Sequence, residues 1–254
     1  MTEEFLIEWT FSPINYFEEP VEFRCKNETI RIDKGRAESR IPPDRYAPDH
    51  SICDQLHKEL NLKFLAVQIL KHQPYTLNNP SILQGNNITV AIEGLFCRTT
   101  ISNIDLIQYD KSGNVVGDSK KERIEQQNNF IGLVSKHSSD SLLVKMIMHY
   151  DEAVRDSSKE FVHLYDIRDA IATLGGEVGS RNTLGNIISK TEWGNKWSAL
   201  GKLCNRAEIR QGRHTGKNKG QLRDATAEEL QEARSVARFF IENYINYLEN
   251  KDLA

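Results

Sequence analysis

The chain is poor in the residues that announce covalent or metal-held folds. Its four cysteines (Cys25, Cys53, Cys97 and Cys204) lie far apart and never in CxxC spacing, which indicates neither a zinc ribbon nor a dithiol redox centre. A chain of 254 residues can build its own core without disulfides, so the thiols are expected to stay reduced in the cytoplasm. The N-terminus, MTEEFLIEWTF, is acidic where a secretion leader is basic. No run reaches the roughly 18 uninterrupted apolar residues of a membrane span; the longest candidate, residues 88–96, contains Thr89 and Glu93 and reads as a strand. With 15 Gly and 7 Pro, collagen-like and Pro-rich low complexity are excluded. GxGxxG, GxxxxGK[ST], GxSxG and HExxH are all absent, which argues against dinucleotide, P-loop, hydrolase-elbow and zincin chemistry.

What is present describes a globular chain with an uneven interior of charge. Lys+Arg of 33 against Asp+Glu of 36 gives a net charge of −3, so the protein is no polycation of the histone type. Hydrophobic residues at 39% and charged residues at 27% suffice for a core. Residues 1–135 hold 15 basic and 19 acidic residues, net −4, and residues 136–254 hold 18 and 17, net +1. Two modules are expected, 1–135 and 136–254.

The first half carries strand grammar. Residues 21–32 alternate apolar and charged side chains around Lys26-Asn27-Glu28 and read as a hairpin, followed by a turn at Asp33-Lys34-Gly35. Residues 41–48, with Pro42, Pro43 and Pro48, read as a loop. Residues 56–72 fit a buried helix or a buried strand equally well. Residues 88–92 are β-branched, and residues 104–116 resemble a second hairpin turning at 110–114. Residues 118–129 have no apolar period and read as a solvated loop or a frayed helix.

After about residue 138 the period becomes helical. Leu142, Leu143, Met146 and Tyr150 form one stripe; Phe161, Leu164, Ile167, Ala170 and Ile171 form a second, stopped by Gly175-Gly176. Thr191 can cap a third helix carrying Trp193, Trp197, Leu200 and Cys204, with Gly194 and Gly201 inside it. Thr226 and Glu229 make a capping box for the last helix, whose apolar face includes Ala233, Ala237, Phe240, Ile241 and Tyr244. The fold class expected is α+β, with an irregular β-rich N-terminal domain followed by a C-terminal α-helical bundle.

One segment stands out by charge. Residues 196–223 hold eight basic residues and a single acid, Glu208. If the Trp-bearing helix continues to Arg213, then Arg206, Arg210 and Arg213 share a face at i, i+4, i+7. Three guanidiniums so placed repel one another unless an anion sits between them, and the planar guanidinium fork suits phosphate. His214 is the side chain there whose ordinary pKa, about 6.5, lies nearest neutrality. The competing reading is a basic surface loop whose arginines pair with Asp224, Glu228 and Glu229, or with the carbonyl end of their own helix.

The runs HLYDIRDAIATLGG (163–176), WSALGKLCNRAEIRQGRHTGK (197–217) and RDATAEELQEARSVARFFIENYINYL (223–248) resemble the C-terminal helical region of HEPN-like proteins. The bacterial type, in which an irregular β-rich part precedes the helices, is the nearest in plan, and the likeness covers residues 138–250. The resemblance implies a metal-independent ribonuclease without cofactor, acting in bacterial stress or phage defence and pairing as a homodimer. By that resemblance His214 takes the acid/base role, Arg206 or Arg210 holds the phosphate charge, and Asn205, Arg213, Lys217, Lys219 and Lys202 line the RNA path. Family members space Arg and His by four to six residues; here three residues separate Arg210 from His214, and seven separate Arg206 from it. The alternative is a non-catalytic dimerisation or partner-binding module whose basic loop docks nucleic acid or an acidic protein. His149 and Asp151, two apart on a helix, face different sides, so no shared metal is expected; His163 and Asp166, three apart, are expected to make a helix-surface hydrogen bond; His50 and His57, seven apart, could share a helix face, but that segment offers no third ligand for zinc.

Overall fold

In the computed structural model the chain is α+β: a curled antiparallel sheet comes first and a helical bundle follows. The structure describes residues 4–25, 27–46, 51–84, 105–109, 114–184, 189–217 and 220–252. They divide into two units, residues 1–67 with 75–132, and residues 68–74 with 133–254.

Period-two alternation builds the first unit. In β1 (Phe5–Ser12), Ile7, Trp9 and Phe11 are buried while Thr10 and Ser12 face out. The hairpin of β2 (Val21–Cys25) and β3 (Glu28–Asp33) pairs Val21 with Ile32, and β3 continues through the turn at Lys34-Gly35 into β4 (Arg36–Ile41). β4 lies against β1 with Trp9 opposite Ala37. A short helical turn, α1 (Pro43–Tyr46), stands at the start of the segment read as a loop.

The ambiguous apolar run is a helix, α2 (Ser51–Lys71). Leu56, Leu60, Phe64 and Val67 recur at helical spacing and are all buried. Phe64 gathers the aromatic core of this unit, with ring centroids 5.0 Å from Phe11, 5.2 Å from Tyr16 and 5.0 Å from Tyr75. The Tyr16 hydroxyl donates to the Phe64 carbonyl at 3.0 Å. The other edge of β1 is closed by β5 (Thr76–Leu77) and β6 (Ser81–Gln84).

A two-stranded ribbon follows, β7 (Ile107–Tyr109) with β8 (Val115–Asp118). Its turn residues 110–113, the strand read at residues 88–96, and Cys97 lie outside the described residues. The polar stretch 118–129 belongs to a regular helix, α3 (Ser119–Lys136). Asp118 accepts from the backbone N–H of Lys120 and Lys121 at 3.1 Å each, so a cap rather than an apolar stripe starts it. Arg123, one turn in, forks onto Glu18.

The second unit is built of helices. α4 (Ser141–Arg155) is capped by Asp140, which accepts from Leu143 N–H at 2.8 Å. It packs against α5 (Glu160–Ala172), and the glycine pair that ends α5 also opens α6 (Gly176–Leu184), a helix the sequence pattern does not announce. α7 (Lys190–Cys204) is capped by Ser189, whose hydroxyl accepts from Glu192 N–H at 3.1 Å, rather than by Thr191. α8 (Ala227–Asp252) carries the capping box: Thr226 N–H donates to Glu229, and Glu229 N–H donates to the Thr226 hydroxyl at 3.2 Å. Trp193 and Trp197 are core residues, edge-on to Phe240 at 5.0 and 6.0 Å.

One buried polar network crosses this core. Arg234 forks onto Glu160 at 2.6 and 2.9 Å, and Glu160 is 2% exposed. His72 lies 3.4 Å from the same carboxylate and 3.3 Å from the Tyr150 hydroxyl. Burial, aided by the Arg234 charge, outweighs the attraction of Glu160 and brings the His72 pKa down to about 4. Among the described residues no helix is long and apolar enough to cross a membrane.

Candidate functional site

The basic segment begins where α7 ends, and the end is set by packing. Beyond Cys204 the chain turns: Arg213 N–H returns to the Cys204 carbonyl at 2.9 Å, and Gly212 N–H bonds the Ile209 carbonyl at 3.0 Å. A Cβ on Gly212 would stand 2.8 Å from the Arg206 carbonyl oxygen and 3.1 Å from that of Ile209, so only glycine closes this turn. Ile209 is fully buried and anchors the loop. Around it a parallel bridge forms, with Arg210 N–H bonding the Arg223 carbonyl and Arg223 N–H the Glu208 carbonyl, both at 2.9 Å. The helix therefore does not continue to Arg213, and Arg206, Arg210 and Arg213 share no helical face.

Each of those guanidiniums has an acid. Arg206 donates to Glu229 at 2.6 Å, and Arg223 forks onto the same carboxylate at 2.8 Å through both terminal nitrogens. Glu229 thus joins two arginines, the capping box and the N-terminus of α8, and its side chain is only 13% exposed. The Arg223 hydrogen bonds, the Thr226 N–H and the two positive charges bring its pKa down to about 2. Arg210 pairs with Asp224 at 3.1 Å in a fully solvated contact, which is worth about 0–1 kcal/mol. Arg213 lies 3.5 Å from Asp169, with its guanidinium carbon 3.7 Å from the centre of the Tyr165 ring.

Two of the three residues expected to be catalytic are held by different acids, Arg206 by Glu229 and Arg210 by Asp224. His214 is half-buried, and among the described residues no side chain makes a hydrogen bond or ion pair with it. Arg206 and Arg210 are turned to carboxylates instead. Of the residues expected along an RNA path, Lys202 and Lys217 are exposed and have no acidic partner among the described residues, and Lys219 lies outside them. Asn205 is the C-cap of α7, and its side-chain oxygen is buried with no donor.

His149 makes a hydrogen bond with Glu152 at 3.2 Å on its own helix. His163 lies 3.4 Å from the same carboxylate, but its Nδ1 is buried without a hydrogen-bond partner, and the expected bond to Asp166 is not among its contacts. Among the described residues no group of three His, Cys, Asp or Glu side chains could hold a metal ion, and His50 lies outside them.

A different arginine occupies the position that the sequence suggests for the basic segment. Arg168, on α5, lies with its guanidinium carbon 4.4 Å from the Trp197 ring centre and 4.9 Å from that of Tyr165. It has no acid partner among the described residues, and its Nε is buried without an acceptor. A Cβ on Gly201 would fall 2.4 Å from its Nη1, so the glycine in the middle of α7 makes the space the guanidinium occupies. A cavity of about 490 Å³ opens here, lined by α5, α6, α7 and Asn205. An unsatisfied buried donor costs roughly 1–3 kcal/mol, against which the cation–π contacts with the two rings contribute about 0.5–2 kcal/mol.

No protein-family model, curated protein or solved structure matches this chain.

Proposed function

We propose that the helical unit is a HEPN-like, non-catalytic module that engages RNA by charge. The observation that carries this reading is the Glu229 junction. Arg206, which the cleavage reading assigns to the scissile phosphate, is held with Arg223 on a carboxylate that stays ionised to about pH 2. Among the described residues His214 has no second group to fix its tautomer or orient it toward a ribose hydroxyl. The strip that follows the junction carries Lys217, without an acid partner among the described residues, and the weakly held Arg210 and Arg213, a distribution suited to phosphate contacts without chemistry. The homodimer implied by the resemblance belongs to the same reading.

Binding of a labelled single-stranded RNA to the full chain, followed by anisotropy across a salt series, tests it. Three phosphate contacts predict a log–log slope of about −2, and Lys217→Ala is expected to reduce it by about 0.7. RNA incubated with the protein in EDTA is expected to remain whole. Cleavage that disappears in a folded His214→Ala variant would establish the ribonuclease reading in its place, and a flat salt response would remove RNA altogether. Light scattering reads the oligomeric state.

A further inference from the structure

We infer that the cavity beside Arg168 is a binding site for a phosphate monoester of a hydroxyl-bearing small molecule. This goes beyond the RNA reading and rests on residues outside the Glu229 junction.

The argument starts from the shape of α7. Ser198, Gly201, Lys202 and Asn205 recur at i, i+3, i+4, i+7 and line the cavity as one stripe beside Trp197. The two small residues leave space; the ammonium and the amide supply hydrogen bonds. Arg168 enters the space over Gly201 from α5. All five N–H groups of a guanidinium lie in its plane, so with aromatic rings close to it the edge is the direction left for an acceptor.

Charge and polarity then choose the ligand. Arg168 and Lys202 are two cations without acid partners among the described residues, and they flank one point of α7. Arg213 brings a second guanidinium to Tyr165, but that one has Asp169. The three terminal oxygens of a phosphate monoester can accept from the guanidinium, the ammonium and the Ser198 hydroxyl together, while Glu177 on the same lining offsets one of the two positive charges. A carboxylate has two oxygens and leaves one of those three donors unmet. The lining extends from α7 to Glu177 on α6, so a body carried by the phosphate has further polar partners within the same cleft. Glu177 lines the cavity without an ion pair to Arg168, and it offers acceptors for hydroxyl groups on that body, as does the unpartnered oxygen of Asn205. A sugar phosphate or a mononucleotide has this chemistry, and so does the 5′-phosphorylated end of an RNA.

Calorimetric titration of the full chain with ribose 5-phosphate, inorganic phosphate, ribose and succinate tests the site. Ribose 5-phosphate is expected to bind with a Kd below about 1 mM, more tightly than inorganic phosphate or succinate, while ribose alone gives no heat. Arg168→Gln is expected to weaken binding at least about tenfold through the lost charge-assisted hydrogen bonds. Lys202→Ala touches an exposed side chain, leaves the fold intact, and is expected to weaken binding about threefold to fivefold. No heat with any phosphate, tighter binding of succinate, or unchanged binding in both folded variants would overturn the inference. Competition by a 5′-phosphorylated oligoribonucleotide but not its 5′-hydroxyl twin would identify an RNA end as the source. If neither oligonucleotide competes, the source is a free small ester. Because Lys217 lies outside the cavity lining, its effect on the salt slope reports on the RNA reading separately.

Discussion

Glu229 and Arg168 mark two places where arginine chemistry ends differently. At Glu229 two guanidiniums and the Thr226 N–H converge on one carboxylate at a helix N-terminus, while the Glu229 N–H donates to the Thr226 hydroxyl, and the charge is consumed locally. At Arg168 a guanidinium sits near two rings in a space left by a glycine, with no ion pair among the described residues, although Glu177 shares the cavity lining and Arg213 reaches the same Tyr165 ring. The first region is dense in basic residues that acids neutralise. The second has fewer cations, and Arg168 is not neutralised by an ion pair. Local density of positive charge in a sequence therefore says less about anion binding than whether acids fold back onto it.

The most damaging way to probe this contrast is to unpair the deepest guanidinium. Glu160→Ala leaves Arg234 without its carboxylate in the core and is expected to cost about 3 kcal/mol, read from urea unfolding. At the junction, Glu229→Ala removes a cap contact and the partner of two arginines, for an expected loss of about 2 kcal/mol. The same carboxylate has a pH signature. Its folded pKa, about 2, lies below the ordinary 4.5, so its stabilisation is present above 4.5 and is lost as pH falls toward 2. Glu229→Gln should flatten that acid limb of a thermal-melt profile.

His72 supplies a second limb of the same direction, at higher pH. Its folded pKa of about 4 is below the ordinary 6.5, so the unfolded chain takes up the proton first. Stability should be level above pH 6.5, decline between 6.5 and 4, and level again below; His72→Gln should remove that decline. The smallest effect is expected where the comparison is sharpest. Arg168→Met exchanges an unpaired, half-buried charge for a thioether that can pack on the same rings, and unfolding free energy should stay within about 1 kcal/mol of the unsubstituted chain. A loss comparable to Glu160→Ala would mean that Arg168 is a structural residue like Arg234.

Much of the architecture was legible because it obeys a period. The hairpin at 21–32, the stripes of α4 and α5, the Trp face of α7 and the capping box of α8 all stand where apolar spacing and cap chemistry place them. The failures share a cause. α3 has its buried apolar stripe only from Phe130 on, beyond the polar stretch, and α6 buries little besides Leu184, so polar contacts such as the Asp118 cap help set their starts. The end of α7 depends on carbonyls that crowd Gly212, a relation between residues brought together only by the turn. The candidate site was harder still. The pairing of Arg206 and Arg210 with Glu229 and Asp224 was one of two readings open to the sequence, and only the fold chooses it. Arg168 was hidden inside a stripe read as core; the stripe of Ser198, Gly201, Lys202 and Asn205 was the signal that could have exposed it.

The buried Ile209 has a consequence for kinetics as well as for shape. Fixing the backbone of a residue costs roughly 1–2 kcal/mol of conformational entropy, and the described residues around Ile209, Gly212 and the Arg223 bridge meet that cost when the chain folds. For the RNA contact proposed at Arg210, side-chain rotamers would then be what is left to still. Association there would be governed by encounter and ionic steering.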